Sequence, residues 1–250
     1  MSGPFDLTGR LAVVTGASRG IGRACAVALA AAGADVIGVA TAPPEGGVAD
    51  DVRAAGRRYE ALGCDFADPA AVAALGDALA QREVDVLVNN AGTIRRAPAA
   101  EHPQADFDHV VQVNLTSQFA LTQRVGATML ARGRGKVVFT ASLLSFQGGI
   151  NVPGYTASKH AVAGLTRALA NEWAPRGVNV NAVAPGYVVT DNTAALRADP
   201  DRSRALLERI PAGRWATPED VAGPVVFLAS PAADYVHGVV LAADGGWLAR

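Results

Sequence analysis

Lysine is almost missing from this chain. Of the 22 basic residues in 250, only Lys136 and Lys159 are lysine, and arginine supplies the rest. Cysteine is equally scarce: Cys25 and Cys64 stand alone in apolar or strand-like settings, which excludes a disulfide framework. The four histidines (His102, His109, His160, His237) are scattered and no Cys/His spacing suits zinc, so no metal site is expected. An excess of either charge is lacking too. The formal net charge is -1, so nothing favours nucleic acid or an anionic membrane as partner. The longest apolar run, residues 24–34, falls short of the roughly 20 residues that cross a bilayer. The first residues hold neither a basic n-region nor an apolar h-region, so no signal peptide is expected and the chain reads as cytoplasmic and reduced. With 50% hydrophobic and only 18% charged residues, the composition suits one sizeable core and excludes a disordered chain.

What is present alternates between strand and helix. Short apolar runs at 11–14, 35–39, 59–64, 84–88, 136–140, 178–183 and 239–243 read as strands. They are continuous rather than alternating, as in a parallel sheet covered on both faces. Helical stretches are expected at 20–32, 69–81, 107–131, 155–173 and 218–228, and the breaker-rich 41–47 reads as a loop. The expectation is a single α/β domain over residues 1–250: a doubly wound, Rossmann-type fold with a parallel sheet of about seven strands and helices on both faces.

The first strand–turn–helix junction reads Thr15-Gly16-Ala17-Ser18-Arg19-Gly20-Ile21-Gly22. Glycine permits a tight turn and a close approach of backbone to a pyrophosphate, and the following helix presents free N–H groups and a positive dipole end. A Gly-rich turn with no ligand is the plain alternative. At the end of the second strand, where an acidic residue would favour NAD and a basic one NADP, stand Ala40 and Thr41. Arg19 reads as a partner for a 2′-phosphate or as a solvated turn residue. Asp65, after the third strand, suits an adenine amino group or a turn.

A second constellation is Ser142, Tyr155 and Lys159. Tyr155 and Lys159 are four apart at the start of a helix and share a face. With four tyrosines and two lysines, chance produces such a pair with a probability of roughly 3%. That is low enough to favour chemistry over a surface pair. Tyrosine is a poor acid or base at neutral pH, and a nearby cation favours its phenolate. Lysine does this as a compact charge with three donors, whereas arginine is a planar fork. Ser142 ends the fifth strand, as a carbonyl donor or a turn cap. Asn114, inside an apolar helix, is a buried amide that needs partners.

These motifs, with Asn89-Asn90-Ala91-Gly92, Pro185-Gly186 and a serine 13 positions before the tyrosine, resemble the short-chain dehydrogenase/reductase family over essentially the whole chain. The resemblance implies NAD(H), favoured on family grounds, with NADP(H) left open. The implied cofactor-binding residues are Gly16, Ser18, Arg19, Gly20, Ile21, Gly22, Asp65, Phe66, Asn90, Ala91, Gly92, Tyr155, Lys159, Pro185, Gly186 and Val188. Tyr155 would be the proton donor and acceptor. Lys159 would hold the nicotinamide ribose and lower the tyrosine pKa, Ser142 would polarise the carbonyl, and Asn114 would hold a relay water. A homotetramer acting on a small-molecule substrate is also implied.

Segments 145–150, 170–174, 196–199, 209–215 and 244–250 bear a narrower resemblance to sugar-acid dehydrogenases of that family, acting on 2-deoxy-D-gluconate or 2-dehydro-3-deoxy-D-gluconate. Such a substrate needs a carboxylate partner, for which Arg95, Arg96 and Arg214 are candidates, and Gln147 and Tyr155 would also touch it. Residues 187–215 read as a substrate lid with a helix near 200–209. The alternatives are a reductase of another carbonyl, such as a 3-oxoacyl thioester or polyol, or a non-catalytic dinucleotide sensor.

Overall fold

The computed structural model describes residues 3–44 and 46–250. Strand β1 (Leu11–Thr15) leads into α1 (Gly20–Ala31), and β2 (Asp35–Ala40) into a short α2 (Val48–Ala54). Then come β3 (Tyr59–Gly63), α3 (Pro69–Ala80) and β4 (Val86–Asn89). The second half holds α4 (Gln104–Val111), α5 (Ser117–Arg132), β5 (Gly135–Thr140), α6 (Pro153–Trp173) and β6 (Val178–Pro185). It ends with α7 (Ala194–Ala198), α8 (Pro200–Leu207), α9 (Pro218–Ala229) and β7 (Val240–Ala243).

The strands form the expected seven-stranded sheet, ordered β3-β2-β1-β4-β5-β6-β7, and every pairing is parallel. Successive strand residues point to opposite faces. Val13, Val137 and Phe139 therefore join Leu75, Leu121 and Leu169 from α3, α5 and α6. Ala12, Val14 and Val138 join Leu29, Val225 and Leu228 from α1 and α9 on the other face. The strand order reverses between β1 and β4, which opens a crevice at their carboxyl ends.

Three local features differ from the sequence expectation. Helix α2 follows the Pro/Gly-rich loop, burying Val48, Ala49 and Val52. The helix expected over 107–131 is instead α4 and α5 joined by a wider, π-helical turn, Gln112–Thr116, centred on Asn114. The lid helix expected near 200–209 is present as α8, but a further short helix, α7, precedes it; Asp199 between them caps α8 by accepting from the Asp201 and Arg202 amides.

Candidate active site

The dinucleotide turn is built from backbone and clipped from behind. Thr15 Oγ1 accepts from the Asn90 and Ala91 amides, each at 2.9 Å, and Asn90 Nδ2 donates to the Thr15 carbonyl at 2.9 Å. The ends of β1 and β4 are thus one unit. Gly16 and Gly20 adopt positive φ of 68° and 53°. Arg19 stands at the N-cap of α1 without a side-chain cap, so no side chain stands in for an anion at the first-turn N–H groups. This cradle of glycines ahead of an uncapped helix end fits a pyrophosphate. Ser18 and Asp65 are exposed, Ile21 and Gly92 line the same end of the sheet, and Phe66 is buried. Asp65 accepts the Ala67 amide through Oδ1 alone, which leaves its second oxygen open. Pro185 and Gly186 end β6, and Val188 is buried where it bridges to Ala216.

Ser142, Tyr155 and Lys159 come together from the turn after β5 and from α6, and Asn114 reaches α6 through Ser158, next to Lys159. Pro153 starts α6, so Tyr155 and Lys159 stand one turn apart near its beginning. Gly154 lets α4 approach closely: a Cβ there would sit 3.2 Å from Phe107 Cδ2. Ser142 caps a 3₁₀ turn after β5, and Ser145 of that turn donates to the Lys159 carbonyl at 2.6 Å, pinning the serine loop to α6. Asn114 is fully buried and its amide is fully engaged. Oδ1 accepts from the Thr93 amide at 2.8 Å, while Nδ2 donates to the Thr93 carbonyl at 3.0 Å and to Ser158 Oγ at 3.2 Å. Ser158 and Thr15 are contributors that sequence reasoning missed. Each is a small hydroxyl whose partners lie far along the chain.

The electrostatics differ from expectation at one point. Tyr155 is raised above the ordinary tyrosine value, chiefly by burial, against a hydrogen bond with Ser142 and the charge of Arg96, which both act to lower it. Lys159 was expected to lower it, but its ammonium is turned to the Thr140 carbonyl at 2.6 Å and lies 5.5 Å from the Tyr155 ring centre. Burial pushes Lys159 itself down to about 8 from 10.5. Below pH 8 both folded and unfolded chains keep this proton and the native state bears its burial cost. Between about 8 and 10.5 only the unfolded chain keeps it, so stability rises with pH. Urea unfolding should show the wild type gaining about 2 kcal/mol on Lys159→Met from pH 8 to 10. Parallel profiles would contradict a buried, destabilised ammonium.

The candidate carboxylate partners separate. Arg95 faces Asp106 at 3.6 Å. Arg214 is occupied: it grips Asp220 with two hydrogen bonds of 2.6 and 2.8 Å, holding that carboxyl well below its usual range and reinforcing the Thr217 cap of α9. Arg96 is the arginine whose charge reaches Tyr155. Ala97 donates to the Asn151 carbonyl at 3.0 Å, which joins the loop of Arg96 to the loop that enters α6. Gln147 Oε1 accepts from Trp247 Nε1 at 3.3 Å, which leaves its amide N–H groups as donors. Trp247 is the hub of a small cluster with Leu143 and Ile210, packed by Tyr187 and Leu206, and Arg209 lies 3.9 Å above its ring. The chain's last residues thus hold the 187–215 segment against the serine loop. Among the described residues there is no group of three metal-ligating side chains, and no helix is long and apolar enough to cross a membrane.

A family model described as enoyl-(acyl carrier protein) reductase matches residues 16–248. A 2-dehydro-3-deoxy-D-gluconate 5-dehydrogenase of Pseudoalteromonas atlantica is 56% identical, covering 98% of both chains. A solved structure from Agrobacterium tumefaciens, described as a 2-deoxy-D-gluconate 3-dehydrogenase with bound NADP, is 58% identical with a TM-score of 0.95, covering 99% of both chains. Another from Beutenbergia cavernae, described as an NAD(P)-dependent gluconate 5-dehydrogenase with NADP at low occupancy, is 59% identical with a TM-score of 0.97, covering 99% of this chain and 100% of its own. A nicotinamide cofactor accords with these relatives. The expected preference for NAD(H) over NADP(H) finds no support in the two structures, since both hold NADP.

Proposed function

Because this chain belongs to the short-chain dehydrogenase/reductase family, we propose that it interconverts a hydroxyl and a ketone on a deoxy-sugar acid of the 2-dehydro-3-deoxy-D-gluconate type, using NADP(H) at least as well as NAD(H). The observation that carries the substrate class is Arg96. Its loop is tied to the entry of α6 by the Ala97–Asn151 hydrogen bond, its charge acts on Tyr155, and unlike Arg95 and Arg214 it has no carboxylate partner among the described residues. A substrate carboxylate on Arg96 brings a neighbouring hydroxyl to Tyr155. The relatives' names support the same class. Support for NADP(H) comes from the NADP in those two structures, the neutral Ala40-Thr41 pair and Arg19 beside the Gly-rich turn.

When bound, the nicotinamide supplies the hydride acceptor for oxidation and the donor for reduction. Tyr155 Oη takes the hydroxyl proton in oxidation and returns it to the ketone oxygen in reduction. Ser142 Oγ donates to that same oxygen and hydrogen-bonds the tyrosine. Lys159, steadied on the Thr140 carbonyl, keeps two N–H donors for ribose hydroxyls. Since the Asn114 amide is committed to Thr93 and Ser158, its contribution to a relay water falls to its backbone carbonyl in the π-helical turn. Gln147 meets sugar hydroxyls through its free N–H groups. The 187–215 segment is the lid, and Arg95 and Arg214 act in holding its surroundings rather than on the carboxylate. A cytoplasmic homotetramer belongs to the same proposal, supported by the two free, buried cysteines and by exposed apolar side chains at Phe119 and Phe146.

The test follows absorbance of the reduced nicotinamide, with both cofactors, against keto-sugar acids, neutral polyols and acetoacetyl thioesters. Sugar acids should turn over, and Arg96→Met should raise their KM on the order of 10- to 100-fold while leaving the KM of neutral polyols within about twofold. Turnover of thioesters alone would overturn the substrate class, and no turnover at all would leave a dinucleotide sensor.

A further inference from the structure

The first turn of the lid, Asp191–Thr193, is held from both sides by arginines. Arg19, at the head of α1, pairs with the Asp191 carboxylate. Arg96, beyond β4, donates to the Asn192 carbonyl at 3.0 Å. The turn is itself well built: Thr193 Oγ1 donates to the Val188 carbonyl at 2.6 Å, and Thr190 and Thr193 form a reciprocal cap. It also leans on the Gly-rich turn, since a Cβ on Gly20 would lie 3.5 Å from Thr190 Cγ2. A residue 172 positions from Arg19 therefore supplies an anion at the lip of the dinucleotide cradle.

We propose that Asp191 is a specificity-determining residue: it competes with the adenosine 2′-phosphate for Arg19, and so sets how strongly NADP(H) is preferred to NAD(H). This rests on the reading of residues 16–22 as a dinucleotide cradle. A 2′-phosphate on the Arg19 guanidinium must share it with, or displace, the Asp191 carboxylate, and two anions on one fork repel. A 2′-hydroxyl brings no charge and leaves the Arg19–Asp191 pair as it is. Both side chains are largely exposed, at 74% and 71%, so the pair is weak enough to exchange. Because Asp191 begins the lid's first turn, phosphate capture by Arg19 also frees that turn from the cofactor side.

Fluorescence titration with NADPH and with NADH, at low ionic strength, tests this without turnover. Asp191→Asn should tighten NADPH by about two- to fivefold, the scale of an exposed ion pair, and leave NADH nearly unchanged. Asp191→Glu keeps the charge and should restore the wild-type ratio. In an Arg19→Met background the Asp191→Asn gain should vanish, because the two act through one contact. Equal tightening of both dinucleotides, no change for NADPH, or a gain that survives Arg19→Met overturns the proposal. If the wild type binds neither dinucleotide, the cradle reading fails as well. If it binds both and Asp191→Asn alters nothing, only the role of Asp191 fails.

Discussion

Tyr155→Phe should lower kcat by about 10³- to 10⁴-fold, the upper range for loss of a general acid–base group, with dinucleotide affinity held within about twofold. The asymmetry follows from where the hydroxyl sits. Its ring is carried on α6, so phenylalanine keeps the ring and removes only the oxygen on which Ser142 and Arg96 act. Lys159 stays on the Thr140 carbonyl, because its position does not depend on the tyrosine oxygen. The cradle of Gly16, Gly20 and Gly22 belongs to a different junction and is untouched. Single-turnover mixing with pre-bound cofactor separates the chemical step from binding. Residual turnover within tenfold of wild type would remove Tyr155 from the proton path, whatever its geometry.

The direction of the tyrosine's own shift sharpens this result. Burial raises Tyr155, so at neutral pH it is a neutral phenol with a proton to give, suited as it stands to reduction. For oxidation the same oxygen must first lose that proton, and the groups that favour the loss here are Ser142 and Arg96. Arg96 is also the proposed carboxylate anchor, and a bound carboxylate would offset its charge. On the proposed anchoring, substrate carboxylate and proton transfer would be coupled through one guanidinium, which a reading of Tyr155 and Lys159 alone does not reveal.

Whether a feature was legible in the sequence depended on the range of the interaction that makes it. The five inner strands could be read because each is a mainly apolar run buried on both faces, a property of four to eight neighbours, whereas the edge strands β3 and β7 are only partly buried. Tyr155 and Lys159 could be paired because one helical turn relates them. The assignment of Arg95, Arg96 and Arg214 could not be settled that way. All three are solvated arginines in sequence, and what distinguishes them is Asp106, the loop contact at Asn151, and Asp220. For Arg214 a local signal existed: Thr217 followed three residues later by Asp220 is a capping box, and a guanidinium six residues before that aspartate is within its reach. The π-helical turn at Asn114 had no such signal, since periodicity across 107–131 suits an unbroken helix. It is set by amide contacts to Thr93 and Ser158, 21 and 44 positions away.

Gly22→Ala should cost both stability and cofactor, and its effect on cofactor should be the larger. Gly22 sits in the first turn of α1, facing back onto the end of β1. A Cβ there would overlap the Gly16 carbonyl oxygen, lie 2.5 Å from Asn90 Nδ2 and 2.7 Å from the Gly16 carbonyl carbon. These are backbone atoms and the clip that joins β1 to β4, so neither can rotate aside as a flexible side chain would. Relief requires α1 to retreat from the sheet or the Asn90 contact to Thr15 to open. Overpacking of this kind costs about 1–3 kcal/mol, which urea unfolding should read as a lower midpoint with an unchanged slope. Retreat of α1 also moves the N–H groups that would hold the pyrophosphate, and each hydrogen bond lost to that charged group costs about 1.5–3 kcal/mol, on the order of 10- to 100-fold in affinity. Both NADPH and NADH should therefore weaken together, since the pyrophosphate is common to them, in contrast to the selective effect expected at Asp191. Wild-type affinity for either dinucleotide in folded Gly22→Ala protein would mean that the phosphates do not lie on this turn.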